Sequence, residues 1–152
     1  MGKTIDLLTD KLEHLAKHLG VNTSEIIPLD PDEFIFEYQD QEYLVCTEEE
    51  SINKAYDYVE NNLWAFNAKF LVKYMPWIDF FNDKKEQALV ESLRIMQEKL
   101  CEDCNPIIYK LIGKRIHDLF NEAVRLDGMG HLLAQYDFIE RAEGDFFIYR
   151  TN

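Results

Sequence analysis

The chain has 152 residues, and its 29 acidic and 16 basic side chains give a formal net charge of −13 at pH 7. This charge argues against direct binding to nucleic acid or to an anionic membrane surface, because both depend on Lys and Arg. A hydrophobic content of 47% argues against disorder, and the length suits a single domain over residues 1–152. Three cysteines, no signal-peptide core and no long apolar run favour a reducing, cytoplasmic setting without a membrane span.

The N-terminal segment has the pattern of an amphipathic helix. Apolar residues recur there at spacings of three and four, at Ile5, Leu8, Leu12, Leu15 and Leu19. Gly20 suits the left-handed conformation that ends many helices. We therefore predict a helix over residues 1–20, followed by a connector that contains Pro28 and Pro31.

Residues 33–46 have the pattern of a β-hairpin. Aromatic and charged side chains alternate on both sides of a Gln39–Asp40–Gln41 turn region, which is typical of half-buried strands. We expect the aromatic side chains of this hairpin to face the core. The turn lacks the Asn-Gly or Asp-Gly signal that would set the register.

The long segment 47–126 is predicted to be helical. Thr47 and Glu50 have the spacing of a capping box, in which each side chain binds the other residue's backbone N–H. Asp83 with Glu86 indicates a second helix start.

Asn105 and Pro106 indicate a third helix start, with Asn105 as the N-cap. We expect this helix to run through Gly113, at a cost of about 1 kcal/mol relative to Ala, so that a neighbouring element can approach closely. It should end at the DGMG sequence of residues 127–130.

The C-terminal residues 131–151 are predicted to form a second hairpin, with strands at about 132–140 and 145–151 that join through Glu143 and Gly144. The order of elements separates runs of strands from runs of helices. The sequence therefore predicts an α+β fold, with a small antiparallel sheet of two hairpins packed with about four to five helices.

Three clusters contain residue types that support chemistry. Asp127, His131 and Asp137 surround a flexible turn and are weak candidates for metal binding or acid–base catalysis. A locally hydrogen-bonded turn is the more ordinary interpretation of this pattern.

The other two clusters are weaker. Cys101 and Cys104 form a lone C-x-x-C without the second ligand pair that a zinc site normally needs. Asp10, His14 and His18 recur every fourth residue on the first helix, but Leu15 stands where zinc proteases have Glu. We therefore predict no catalytic residue, no metal and no cofactor.

The strongest feature is an uneven distribution of charge. Residues 25–50 contain ten acidic residues and no Lys or Arg, so this stretch accounts for −10 of the net −13. Such concentration favours a surface that binds a basic partner, although plain solubility would also explain it. The candidate partner-binding residues are Glu33, Glu37, Tyr38, Asp40, Glu42, Tyr43, Glu48, Glu49 and Glu50.

Four stretches of the chain resemble a group of small, mostly unannotated acidic proteins that bacteriophages and other mobile elements encode. They are EYLVCTEEE at 42–50, LWAFNAKFL at 63–71, RLDGMGHLLAQYD at 125–137 and FFIYRTN at 146–152. The resemblance begins at about residue 42 and implies a phage setting inside a bacterial host, without a catalytic assignment. Phage genomes are rich in acidic inhibitors of host defence nucleases, including anti-CRISPR and antirestriction proteins that imitate the charge of DNA.

Three hypotheses follow. The first is a non-enzymatic, phage-derived inhibitor whose acidic patch mimics DNA and binds the basic surface of a Cas or restriction nuclease. The second is a small metal-dependent or acid–base enzyme that uses Asp127, His131 and Asp137. The third is a phage accessory protein that binds a basic phage protein. The sequence does not predict an oligomeric state.

Overall fold

The computed structural model describes residues 2–152, with side chains from residue 7 onwards. Within this range it contains a five-stranded antiparallel sheet and six α-helices, four of which have 14 or more residues. The predicted α+β class is confirmed. The helices are α1 Gly2–Leu19, α2 Glu48–Asn61, α3 Ala68–Val72, α4 Asp83–Leu100, α5 Asn105–Ile112 and α6 Ile116–Leu133. The strands are β1 Ile27–Asp30, β2 Ile35–Tyr38, β3 Gln41–Cys46, β4 Arg141–Glu143 and β5 Phe146–Arg150.

The chain divides into two compact units. Unit 1 comprises Met1–Ala55 and Asp127–Asn152, and unit 2 comprises Tyr56–Leu126. Unit 1 holds the whole sheet together with α1, whereas unit 2 is helical. Among the described residues, none of the helices combines the length and apolarity needed to cross a bilayer.

The sheet of unit 1 joins the two predicted hairpins. Its strand order is β1-β2-β3-β5-β4, and β3 pairs with β5 so that Val45 lies opposite Ile148. One face of the sheet packs against α1 through buried Leu15 and Ala16. The buried residues on this face include Phe36, Tyr43, Val45, Phe146 and Ile148, which confirms the expected inward aromatic face.

The first hairpin turns through two residues. Gln39 and Asp40 have φ values of 47° and 65°, and Tyr38 lies opposite Gln41. Positive φ at both central positions is the geometry of the tight turn that matches the twist of paired strands. The local sequence lacks Gly at this turn, and pairing with β5 holds the register of β3 from its other side.

The first strand, β1, is an element that we predicted to be a connector. Ile27–Asp30 pairs with β2 at the edge of the sheet, with Ile27 opposite Glu37. Pro28 had indicated a break, but an edge strand tolerates proline because its outer side forms no ladder hydrogen bonds. The connector prediction for residues 27–30 is therefore wrong.

The helix starts are partly as predicted. The capping box of α2 is present, with Glu50 N–H donating to Thr47 Oγ1 at 3.2 Å and Thr47 N–H donating to Glu50 Oε1 at 3.0 Å. For α4 the cap is Asn82, whose Oδ1 accepts from Lys85 N–H at 2.8 Å, and Asp83 is already helical.

Asn105 is not the N-cap of α5, as we had expected. Its Oδ1 accepts from the backbone N–H of Trp64 at 2.8 Å, and its Nδ2 donates to the carbonyl of Asn61 at 2.6 Å. The side chain thus joins two segments of unit 2 instead of capping its own helix.

Gly113 does not lie inside a continuous helix. It has a φ of 60° and ends α5, and a Cβ built there would have no atom within 4 Å. The expected close approach of a neighbour is therefore wrong. Glycine suits this position because a side chain rarely tolerates that backbone conformation.

The C-terminal hairpin is shorter than predicted. Helix α6 continues to Leu133 with non-helical backbone at Gly128, so residues 131–133 are helical and the first strand covers Arg141–Glu143 alone. Gly130 lies so close to the backbone at Phe138 that a Cβ would come within 2.5 Å of its carbonyl oxygen. This tight return of residues 134–140 replaces the first half of the expected strand.

Candidate acidic interaction surface

The negative charge of the protein lies almost entirely in unit 1. Residues 1–55 and 127–152 contain 18 acidic and six basic side chains, a net charge of −12. Residues 56–126 contain 11 acidic and ten basic side chains, a net charge of −1. The candidate partner-binding residues all belong to the highly charged unit.

Three carboxylates form what we call the hairpin-tip cluster: Glu37, Asp40 and Glu42. The register of β2 and β3 places Glu37 directly opposite Glu42, and Asp40 lies in the turn that follows Tyr38. Directly opposed residues have Cβ atoms about 4.5–5.5 Å apart, and like charges at this spacing destabilise a sheet. The fold therefore maintains an unfavourable concentration of charge at this tip.

The hairpin-tip cluster remains accessible. Asp40 is exposed, Glu37 and Glu42 are half-buried, and no Lys, Arg or His among the described residues pairs with any of the three. Ile27, opposite Glu37 on the edge strand, is 56% exposed, so this end of the sheet is not covered. The C-terminal segment reinforces β3 through its backbone, where Thr151 N–H donates to the Glu42 carbonyl at 2.9 Å.

Three described cations of unit 1 have partners away from the hairpin tip. Lys17 lies 3.5 Å from Glu143, Arg141 lies 2.9 Å from Asp137, and the Arg150 guanidinium stacks 3.6 Å from the centre of the Tyr136 ring. Lys11 and Lys54 pair with Glu50 and Glu33, so none of the unit 1 cations whose side chains are described neutralises the hairpin-tip cluster.

Two predicted partner-binding carboxylates are engaged within the fold. Glu33 pairs with Lys54, and Glu50 accepts a 2.7 Å hydrogen bond from Lys11, which is 3% exposed. Lys11 also lies 3.9 Å from the centre of the Phe34 ring, a cation–π contact that the low exposure of the ammonium strengthens. Glu33 and Glu50 are therefore each paired with a cation of unit 1 and do not offer free charge.

Glu48 and Glu49 form a second acidic group, the helix-start pair. Both are exposed in the first turn of α2, where the helix dipole stabilises negative charge. Residues 43–47 separate Glu42 from Glu48, and six residue steps of extended chain span about 20 Å. The candidate partner-binding carboxylates without a described cation thus form two groups rather than one continuous patch.

The two predicted aromatic anchors, Tyr38 and Tyr43, differ in how much of each side chain reaches the surface. Tyr43 is 6% exposed in the core and donates to Gln41 Oε1 at 2.6 Å, so its assignment to a binding surface is wrong. Burial also raises the pKa of the Tyr43 phenol. Tyr38 is half-buried at the margin of the same core.

Exposed apolar surface near the hairpin tip comes from β1 instead. Ile27 and Leu29 are 56% and 49% exposed. We overlooked them because the segment was predicted to be a connector. Their alternation around Pro28 was the available signal, since a period of two is typical of strands.

The residues proposed for metal or acid–base chemistry do not form a shared site. The His131 ring stacks on Phe138 with centroids 5.0 Å apart, and Asp127 is exposed. Asp137 accepts from Arg141 and from the backbone N–H of Ile139. Partial burial alone would raise the pKa of Asp137, but these two donors outweigh it and lower the pKa.

The two residues of the C-x-x-C differ in burial, and His14 is held by contacts within the fold. Cys104 is buried, which raises the pKa of its thiol, whereas Cys101 is exposed. His14 hydrogen-bonds through Nδ1 to the Asp10 carbonyl at 2.7 Å and packs edge-on against Phe146. Among residues 2–152, as far as their side chains are described, no group of three or more His, Cys, Asp or Glu is arranged to hold a metal ion.

Comparison of the chain with protein-family models, with curated proteins and with solved structures gives no match.

Proposed function

We propose that unit 1 is a non-enzymatic inhibitor module that binds the basic, nucleic-acid-binding surface of a host defence nuclease of the Cas or restriction type. The observation that carries this proposal is the net charge of −12 on unit 1, with the hairpin-tip cluster free of any described cation. The resemblance to phage-encoded acidic proteins supports the choice of a bacterial nuclease in the host cytoplasm as the partner.

The two acidic groups would act as separate contacts. A carboxylate group about 20 Å from another can engage cations at two points along a groove that normally follows the phosphates of a duplex. Such complementarity mainly accelerates association and makes it sensitive to salt. Exposed Ile27 and Leu29 beside the tip supply the apolar contact that charge alone does not provide.

The direct test is competition with DNA. A fluorescent duplex bound to each member of a panel of Cas nucleases and restriction endonucleases is titrated with the protein at low and high salt. We expect displacement from at least one nuclease, with affinity falling at least tenfold between about 50 mM and about 200 mM salt because several ion pairs form.

Charge reversal locates the surface. Reversal of Glu37, Glu42 and Glu49 to Lys should abolish displacement, because it converts both acidic groups. The matched control reverses Asp79, Glu102 and Asp103, three exposed acids of unit 2, and produces the same change in net charge. Equal loss of DNA displacement in both variants would show a general charge effect. The proposal would be refuted if the first variant displaced DNA as well as the parent protein, or if the parent protein displaced none.

A further inference from the structure

Unit 2 contains a groove of about 480 Å³ beside α4. Two stretches of chain line it, residues 64–69 and residues 90–101. Trp64 and Phe66 contribute aromatic surface, and Gln97 contributes a polar group. Ligand pockets have volumes of roughly 300–1,000 Å³ and combine mainly apolar walls with a few placed polar atoms. The groove has both properties.

Gln97 is held in one orientation. It is 8% exposed, and its Nε2 donates to the carbonyl oxygens of Leu63 at 3.1 Å and Phe66 at 2.8 Å. Both partners are acceptors, so the amide nitrogen must face them, and the position of the carbonyl oxygen Oε1 follows. A flip of the amide would set oxygen against oxygen.

The carbonyl oxygen of Gln97 is an acceptor without a donor. No described residue donates a hydrogen bond to Oε1, and the atom is not sealed from solvent. A preorganised acceptor in a largely buried side chain favours a ligand that brings an N–H group, because its orientation requires no further ordering.

The charge around the groove favours a neutral ligand. Arg94 is the lining cation nearest in sequence to Gln97, and its guanidinium forms ion pairs with Glu91 and Glu98. Lys69 is exposed, where a strongly hydrated ammonium prefers water. The charge of Arg94 is therefore balanced by its two ion pairs, and Lys69, for which no described ion pair is found, is a solvated charge at the exposed edge of the groove.

We propose that this groove binds a neutral heteroaromatic ligand, whose ring N–H donates to Gln97 Oε1 and whose faces pack against Trp64 and Phe66. The site lies within unit 2 and is independent of the acidic surface of unit 1. Flat rings suit it because aromatic pairs gain from offset or edge-on contact.

Paired probes test the hydrogen bond. Indole, benzimidazole and adenine each carry a ring N–H, and benzofuran has the shape of indole without that donor. Binding is followed by backbone and side-chain amide shifts of the full chain. We expect at least one N–H probe to shift residues 64–69 and 90–101, and indole to bind about tenfold more tightly than benzofuran.

Cys101 provides a second readout. It lines the groove and is the exposed one of the three free cysteines, whereas Cys46 and Cys104 are buried. A bound ring should therefore slow alkylation of Cys101 by iodoacetamide. The site of alkylation is identified by mass spectrometry.

Two variants complete the test. Gln97→Met removes the acceptor at similar volume and should bind indole and benzofuran equally. Because this change also removes two hydrogen bonds to backbone carbonyls, Ala65→Trp is used in parallel, since it fills the groove from an exposed position and leaves Gln97 intact. It should reduce binding of every probe at least tenfold. Equal binding of indole and benzofuran to the parent protein, no binding by any N–H probe, or shifts confined to other residues would each overturn the proposal.

Discussion

Single residues show how this acidic chain places ionisable groups in its interior. Lys11 is buried yet paired with Glu50 and stacked on Phe34, so its charge has two compensating partners. Tyr149 is fully buried and donates a 2.6 Å hydrogen bond to Glu140 Oε2. Cys46 is buried on the neighbouring strand, opposite Phe147 in the sheet register, and burial raises the pKa of its thiol to about 12. The neutral forms of these last two groups are the ones that the fold accommodates.

Tyr149 leads to a prediction about alkaline pH. Burial is the main cause that raises the pKa of its phenol far above the usual value, and the hydrogen bond to Glu140 adds to it. A folded-state pKa above the unfolded value means that stabilisation is complete below about pH 10 and is lost as the pH rises further. We expect the free energy of unfolding to fall above about pH 10, by up to about 1.4 kcal/mol per pH unit from this group.

Urea denaturation followed by far-ultraviolet circular dichroism at a series of pH values measures this loss. Tyr149→Phe should flatten the decline above about pH 10, because it removes the group that ionises in the unfolded chain. Tyr109→Phe removes an exposed phenol and should leave the slope of the parent protein. If both variants follow the parent curve, burial of Tyr149 does not control alkaline stability.

Some secondary-structure elements are fixed by local sequence, and others are fixed by tertiary contacts. The capping box of α2 depends on residues three apart, and it forms as its sequence predicts. The turn of the first hairpin has no comparable local sequence signal. Its register is held because β3 pairs with β2 on one side and with β5 on the other. The same hairpin carries the opposed Glu37 and Glu42, whereas Glu48 lies where the dipole of α2 favours negative charge.

This contrast predicts opposite effects from the same substitution. Glu42→Gln removes a like charge across the strands and should stabilise the protein by about 0.2–1 kcal/mol at low salt. Glu48→Gln removes a favourable charge from the start of α2 and should destabilise the protein by about 0.3–1 kcal/mol. Urea midpoints at low and high salt measure both effects, which should shrink with screening.

The interpretation of the hairpin tip depends on whether Glu42→Gln raises or lowers the free energy of unfolding. If Glu42→Gln destabilises the protein at low salt, Glu42 has a favourable partner within the fold. The tip would then not be a region of unrelieved repulsion.

The whole molecule combines a highly charged sheet unit with a nearly neutral helical unit. Self-repulsion weakens a compact state when net charge is far from zero, and salt relieves it. Both tryptophans, Trp64 and Trp77, belong to unit 2, so tryptophan fluorescence reports on that unit and not on the sheet. The stability of unit 1 has to be followed by another probe.

Amide hydrogen exchange resolves the two units. Raising NaCl from about 20 mM to about 500 mM should increase the protection of β2, β3 and β5 more than that of α4 and α5, because unit 1 carries a net −12. Glu37→Gln, Glu42→Gln and Glu49→Gln together should reduce the increment in unit 1 and leave unit 2 unchanged. A uniform response of both units to salt would contradict this charge argument.

Local patterns in the sequence predicted a large part of the fold. Helix spacing identified α1, alternation identified β2 and β3, the second predicted hairpin included β5, and the Thr47 box marked the start of α2. These predictions hold because they rest on interactions between residues a few positions apart. Asn105 was misassigned for the opposite reason, because its side chain bonds to Asn61 and Trp64, more than 40 positions away. Gly113 was misassigned although its role is local, since its positive φ ends α5.

The candidate acidic surface also depends partly on local sequence and partly on long-range contacts. The concentration of charge in residues 25–50 is evident from composition, but which carboxylates are free depends on the folded chain. Lys11 reaches Glu50 across 39 positions and Lys54 reaches Glu33 across 21. The strand register sets Glu37 against Glu42, and no described cation pairs with either carboxylate. Local chemistry therefore determines that the chain is acidic here and how its segments fold. Long-range pairing selects the acids that face solvent, because burial and ion pairing arise only when distant segments meet.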